Sequence, residues 1–455
     1  MFENLRDYQQ RDAEFIAQRF ASALFNEQRT GKTPTVLHAI RCKGIQKVLV
    51  VAPASALYQW RDEYSRWLKV PCLVCHGTAK QRKQTIAQWT HGLIISYDTL
   101  KLINRGNKTT GELHNILDQN PEAVILDEAH RIRNRKTATA KAAFALSKIP
   151  FRVALTGTPT PNKPEEIWSI LHFLYPKSFR SYWNFIYEYF YTGQESNPLT
   201  GQTYINIFGL NDHGRAMMPK ILSRIATNRK RKDVMTWLPD KDYIYVNLPI
   251  TKEQARYLDE LEQLWETEDV ATQGVLDRLI RYRQICLDPG LLELRGSSPK
   301  TEWLMQYLKD YPERPTIVFS KFTSYLVHLY DTQLKDKAEL IIGATPVQRR
   351  REICNAFQNG ELNLMLINID AGKESLTLDR CEAIIFTDRY PPVGDISQAE
   401  DRFVSSTPDK ADKPHLIYIL SIKDSYDEEI NKLIAARYSE TDIINNYRNY
   451  VRKKE

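Results

Sequence analysis

Short aliphatic runs alternate with stretches of helical periodicity, and the alternation occurs twice along the chain. In the first half the apolar runs are Lys47 to Ala52 (KVLVVA), Leu93 to Ser96, Ala123 to Leu126 and Arg152 to Leu155. In the second they are Thr316 to Ser320, Leu364 to Ile367, Ala383 to Thr387 and Leu416 to Leu420. Runs that are apolar at nearly every position predict strands buried on both faces, the mark of parallel sheets crossed over by helices. The pattern therefore predicts an α/β protein with two lobes, each a mostly parallel sheet flanked by helices. Between them, 176–192 is crowded with aromatics (Phe179, Tyr182, Trp183, Phe185, Tyr187, Tyr189, Phe190, Tyr191) and reads as an inserted helical element. Dense aromatics at helical spacing read first as packing, with base stacking as the alternative. The expected boundaries are 1–175 for the first lobe, 176–235 for the insertion, and 236–455 for the second lobe with a C-terminal helical tail. A capping-box pattern at Thr251 to Gln254 precedes Tyr257, Leu258, Leu261, Leu264 and Trp265 on one helical face, which should dock on the second lobe.

Composition narrows the class. Of 455 residues, 42% are hydrophobic and 26% charged, a balance that excludes a disordered or low-complexity chain. Basic residues exceed acidic ones, for a net charge of +7, which suits a polyanionic partner without establishing one. No apolar run approaches the ~18 residues that span a bilayer, and Met1 to Gln10 lacks signal-peptide shape, so a cytoplasmic protein is expected, in a bacterial or phage-infected host cytosol. Among six cysteines only Cys72 and Cys75, followed by His76, have metal-like spacing, and without a second pair nearby they read as small apolar residues on a buried strand.

Two motifs carry chemistry. Gly31, Lys32 and Thr33 follow a segment (Phe15, Ile16, Phe20, Leu24) that reads as an amphipathic helix, and they precede another helical stretch. A phosphate loop needs a small residue where backbone N–H groups approach phosphate, a Lys for charge and a hydroxyl for Mg²⁺. The longer Gly-x-x-x-x-Gly-Lys-Ser/Thr pattern breaks at Asn26, so the triplet alone is weak. The run Ala123 to Leu126 then ends in Asp127, Glu128, Ala129 and His130. Carboxylates at the carboxyl end of a parallel strand sit where α/β sheets bind ligands. Asp127 suits Mg²⁺ binding, and Glu128 suits orienting and deprotonating a water.

The DEAH run at 127–130 and LTGTP at 155–159 resemble motifs II and III of superfamily 2 helicases. The segments 161–174, 229–241, 283–292, 317–326 and 398–402 resemble the double-stranded-DNA translocase branch that includes chromatin remodellers, here in a minimal phage- or bacterial-type form. The resemblance implies two RecA-like lobes, with ATP and Mg²⁺ as cofactors. It implies that Gln9 reads the adenine edge, with Arg6 and Tyr8 in support; that Arg6, Gln9, Gly31, Lys32, Thr33 and Gln398 bind nucleotide; and that Thr33 and Asp127 hold Mg²⁺. Catalysis would fall to Glu128, Asp127, Lys32 and Arg402, with His130 and Thr156 coupling the nucleotide to DNA. The counterparts of the backbone-tracking residues are Pro53, Ser55, Ser96, Tyr97, Ser320, Lys321, Ser375 and Thr377. Such contacts grip phosphates and carry little sequence information. The basic runs Arg131 to Lys136 and Arg229 to Lys232 divide between solvated faces and phosphate contacts.

The chain departs from that branch at three positions. Arg29 and Lys373 stand where it has glycines, and Ser405 replaces the second motif VI arginine, leaving Arg402, or Arg389 nearby, as the transition-state candidate. The expected function is an ATP-dependent DNA helicase or translocase acting on duplex, forked or junction DNA in replication, recombination or repair, without a membrane partner and as a monomer. The alternatives are an RNA helicase and a nucleotide-gated DNA clamp with little hydrolysis.

Overall fold

The computed structural model describes residues 5–103, 112–157, 159–160, 163–196, 203–235, 241–264, 274–372, 378–390, 415–436, 443, 446, 447 and 450. The chain divides into two compact units, Met1–Thr236 and Trp237–Glu455. Among the described residues no helix is long and apolar enough to cross a membrane.

The first unit is built on six strands followed by an insertion: β1 (Ala21–Leu24), β2 (Val48–Ala52), β3 (Cys72–Cys75), β4 (Gly92–Ser96), β5 (Ala123–Asp127) and β6 (Phe151–Leu155). The insertion carries the hairpin β7 (Phe190–Ser196) and β8 (Thr203–Leu210), and a short β9 (Ala226–Thr227) rejoins the sheet. The order is β3-β4-β2-β5-β6-β1-β9, with every pairing parallel. Alternate residues of β2 serve opposite faces: Leu49 and Val51 join one apolar cluster, Val48 and Val50 the other. A sheet covered on both sides requires this, and it is why the strand reads as a continuous apolar run. The helices that cover it near the site are α1 (Asp7–Ala17), α2 (Lys32–Cys42) and α3 (Leu57–Leu68).

The second unit repeats the plan with β10 (Lys241–Leu248), β11 (Thr316–Ser320), β12 (Glu339–Ile341), β13 (Leu364–Asn368), β14 (Ala383–Phe386) and β15 (His415–Ile422). Their order is β10-β15-β14-β11-β13-β12, again all parallel. Two parallel sheets flanked by helices are the two α/β lobes the pattern predicted. The helix Lys252–Leu264 opens with the Thr251 and Gln254 capping box, and Tyr257, Leu258 and Leu261 pack into the second unit's core. Trp265 lies outside the described residues.

Two expectations change. The helix before the nucleotide triplet ends at Ala17; Phe20 is 75% exposed, and Leu24 is the last residue of β1. The sequence ASAL has modest strand propensity, and it is pairing with β6 and β9 that makes it a strand. The insertion is helical at its ends, Tyr182–Tyr189 and Asp212–Ile225, with a hairpin between. Phe185, Tyr189 and Phe190 are buried as packing predicts, whereas Trp183, Tyr187 and Tyr191 are exposed. Cys72 and Cys75 lie buried on β3, and burial pushes the Cys72 thiol up to about 12.

The second unit contains a buried ion pair. Lys300, with no exposed surface, donates to the Thr387 carbonyl at 2.9 Å and meets Asp427 Oδ2 at 2.7 Å, while Ile422 N–H donates to the same oxygen. This ties the helix Pro299–Asp310 to the end of β14 and to the helix Tyr426–Ala435. Removing one member of a buried pair strands the other charge, so Lys300→Met should destabilise the second unit by about 3–5 kcal/mol. In chemical denaturation of the full chain, one transition should move to lower denaturant while the other stays in place.

Candidate nucleotide site

Parallel pairing sets three strand ends level. Leu24 pairs with Leu155, and Leu155 pairs with Asp127. The loop after β1, the threonine after β6 and the acidic pair after β5 thus leave one sheet edge side by side, at about 4.8 Å per strand.

The loop 25–31 leads into α2, whose cap, Gly31, has φ +78°. A β-carbon there would stand 2.1 Å from Gln9 Nε2, so both backbone and space demand glycine. Gln9 comes from α1: its Oε1 accepts from Arg6 N–H at 2.9 Å, and its Nε2 donates to the Thr30 carbonyl at 3.0 Å. Tyr8 Oη donates to that same carbonyl at 2.8 Å. The adenine candidates are therefore fastened to the phosphate-loop candidate. Lys32 Nζ donates to the carbonyls of Asn26 (3.0 Å) and Glu27 (3.2 Å). Thr33 sits half-buried on the first turn of α2, where backbone N–H groups lack helical partners. Arg29 adopts φ +62°, a left-handed conformation that disfavours side chains by about 1–2 kcal/mol. Glycine would suit that position.

Asn26, where the longer pattern fails, has a structural role. Its Nδ2 donates to Asp12 Oδ2 at 2.8 Å and its Oδ1 accepts from Thr227 Oγ1 at 3.1 Å; Asp12 in turn pairs with Arg229 at 2.8 Å. Phe25 N–H donates to the Thr227 carbonyl and Glu27 N–H to that of Arg229, so 227–229 runs along the loop. Arg229, expected on a solvated face or a phosphate, is committed to Asp12.

At the end of β5, Trp60 Nε1 donates to Asp127 Oδ2 at 2.8 Å, and Glu128 N–H donates to Oδ1 at 3.0 Å. Burial, and then the Glu128 charge, push the Asp127 carboxyl up to about 6; the Trp60 bond and the Lys32 charge pull it back. Two adjacent half-buried carboxylates, with the Thr33 hydroxyl on the first turn of α2, are a donor set that fits a hard divalent cation. Glu128 holds φ +49°, a strained backbone for a side-chain-bearing residue. His130 Nδ1 lies 3.3 Å from Glu128 Oε2 and 3.1 Å from Thr156 Oγ1, so one ring nitrogen joins the acidic pair to the β6 loop. Thr156 N–H donates to the Leu24 carbonyl. A β-carbon on Gly157 would touch the Gln28 and Asn26 backbone at 3.4 and 3.6 Å.

The candidates for DNA contact fare unevenly. Tyr97 is buried, its hydroxyl donating to the Asp127 carbonyl at 2.7 Å, so it braces the acidic strand rather than presenting itself to a phosphate. Ser96 is buried, its hydroxyl accepting from Thr99 N–H to start the next helix. Ser320 is fully buried, its hydroxyl donating to Asp388. Pro53 is buried, Ser55 half-buried, and Lys321 partly exposed with its ammonium on Asp370 at 2.7 Å. Asp388 also pairs with buried Arg283 at 2.6 Å. Arg389 is largely buried, its guanidinium over Phe386. Ser375, Thr377, Lys373, Gln398, Arg402 and Ser405 lie outside the described residues. Asp12, Asn26 and Trp60 are the members that sequence reasoning missed; their partners are distant in sequence, and no local motif marks them.

Residues 8–291 match the family model of the SNF2-related domain, and residues 299–405 that of the helicase conserved C-terminal domain. An uncharacterized ATP-dependent helicase of Mycoplasma pneumoniae is 26% identical over 427 residues, covering 88% of this chain and 38% of that protein. The DNA annealing helicase and endonuclease ZRANB3 of Bos taurus is 24% identical over 382 residues, covering 78% and 32% respectively. The chain thus spans less than half the length of these relatives. The Sulfolobus solfataricus SWI2/SNF2 ATPase core in complex with dsDNA aligns at a TM-score of 0.43 and 23% identity, covering 95% of this chain and 91% of that one. With more than half of its length matched by the first of these family models, the chain belongs to the SNF2-related family of superfamily 2 helicases.

Proposed function

We propose that the chain is an ATP-driven DNA motor that tracks along duplex or branched DNA. The observation that carries the reading is the level set of strand ends, where Asp127, Glu128, His130 and Thr156 share one edge and one chain of polar contacts, with the Lys32 charge acting on Asp127. Family membership supports ATP as the substrate, and the name of the ZRANB3 relative supports DNA as the track.

In this reading Lys32 leaves the Asn26 and Glu27 carbonyls for the phosphates, and Gln9, with its remaining amide valences, meets the adenine. Thr33 and Asp127 would hold Mg²⁺, which supplies charge neutralisation at the phosphates when bound. Glu128 accepts the proton of the attacking water. Its protonation changes its attraction to His130, and His130 passes that change to Thr156 and the β6 loop. Arg402 is the arginine assigned to the developing charge. Lys321 and the exposed cations grip phosphates, so the motor reads shape and charge rather than sequence.

Steady-state hydrolysis should be stimulated by duplex or forked DNA above the rates with single strands or RNA; no stimulation by any nucleic acid would defeat the proposal. Glu128→Gln should lower kcat by roughly 10²–10⁴-fold while leaving nucleotide and DNA binding within about twofold. Trp60→Phe removes one hydrogen bond to a charged group and should lower kcat/KM by roughly ten- to a hundredfold without unfolding the unit. Gly31→Ala should abolish binding of a fluorescent ADP, whereas Arg29→Gly should raise the thermal midpoint and preserve that binding.

A further inference from the structure

In the first unit, the aromatic helix of the insertion meets the basic run after β5 through successive ring contacts. The Arg135 guanidinium sits 3.9 Å from the Tyr182 ring centroid, and Tyr182 meets Trp183 edge-on at 5.3 Å. Trp183 then stacks with Tyr187 at 5.9 Å and 27°. The opposite face of this helix, with Phe185, Ile186 and Tyr189, is buried and satisfies its packing. Trp183 and Tyr187 are 39% and 56% exposed, so their rings serve no core. Arg131, Arg133 and Lys136 are exposed beside Arg135. Carboxylates near this strip include Glu166, 3.8 Å from Arg133, Glu165, which after burial itself raises the Tyr182 pKa, and exposed Glu188, next to Tyr187 on the same helix. Among the described residues, Arg131, Arg133, Arg135 and Lys136 against Glu165, Glu166 and Glu188 leave the strip positive.

Stacked, water-facing rings bordered by guanidinium and ammonium groups match the chemistry of an unpaired nucleic-acid strand: bases offer free π-faces and phosphates offer charge. Duplex DNA supplies the charge but keeps its bases inside. We propose that Trp183, Tyr187 and the run Arg131 to Lys136 form a binding site for an unpaired DNA strand, with bases on the rings and phosphates on the cations. The site adds a contact specific for unpaired strands to the motor proposed above and rests on that reading for its choice of DNA.

The test is fluorescence anisotropy on the full chain with labelled oligo-dT, oligo-rU and a blunt duplex. Trp183→Ala with Tyr187→Ala should weaken oligo-dT binding roughly tenfold or more, while Trp183→Phe with Tyr187→Phe stays within about threefold of the unaltered chain. Duplex affinity should stay within about twofold in both, and a thermal melt should report an unchanged fold. Unchanged oligo-dT affinity in the Ala pair, or equal losses on oligo-dT and duplex, would overturn the site; tighter binding of oligo-rU than oligo-dT would overturn its assignment to DNA. Duplex-stimulated hydrolysis, read in the same proteins, judges the motor separately: its retention in the Ala pair alongside unchanged oligo-dT binding sinks the strip alone.

Discussion

Parallel pairing of β1 with β6, and of β6 with β5, is the constraint on which the site depends. Parallel strands send all their carboxyl ends to one edge, and the register Leu24 to Leu155 to Asp127 makes three of those ends level. Nothing local places a lysine loop, a threonine and two carboxylates within reach of one another. The ladder does so because each pairing fixes its neighbour's height, and because both faces of the sheet are buried. A slip of one residue would turn an apolar side chain from one cluster to the other and move the acidic pair out of line.

Against this rigid frame the site stores strain and buried polarity. Glu128 and Arg29 hold left-handed backbone, and Asp127 carries a carboxyl that burial drives toward neutrality. The surroundings hold these states in place through the Trp60 bond, the Asp12, Asn26 and Arg229 network, and the Tyr97 hydroxyl. In the second unit Asp388 plays a comparable part. It receives Arg283, the Ser320 hydroxyl and the Lys321 N–H, fixing the start of the loop after β11. Ser320 and Tyr97 are thus braces under the surfaces they were expected to form.

The insertion shows how one sequence feature divides between two tasks. Its aromatic density reads as packing, and Phe185, Tyr189 and Phe190 do pack; the same helix turns Trp183 and Tyr187 outward. Periodicity could assign the rings to a helix, but only the docking of that helix decides which face is covered. Downstream, β9 and the residues after it run along the loop 25–31, so the insertion's last helix is joined directly to the wall of the candidate site.

The sequence by itself determined the α/β class, the two lobes, the buried strands from β2 to β15 that read as apolar runs, and the catalytic candidates Lys32, Asp127 and Glu128. These are legible because apolar periodicity is local and because phosphate and carboxylate chemistry uses short motifs. Tertiary structure alone decided that Ala21–Leu24 is a strand, since its residues have only modest strand propensity and it is two pairing partners that make them one. It alone recruited Asp12, Asn26, Trp60 and Arg229, and turned Ser96, Tyr97 and Ser320 inward. The physical reason is that a hydrogen bond or a buried face depends on which groups meet in space, and the partners of Trp60, Asn26, Arg229 and Ser320 lie tens to hundreds of residues away.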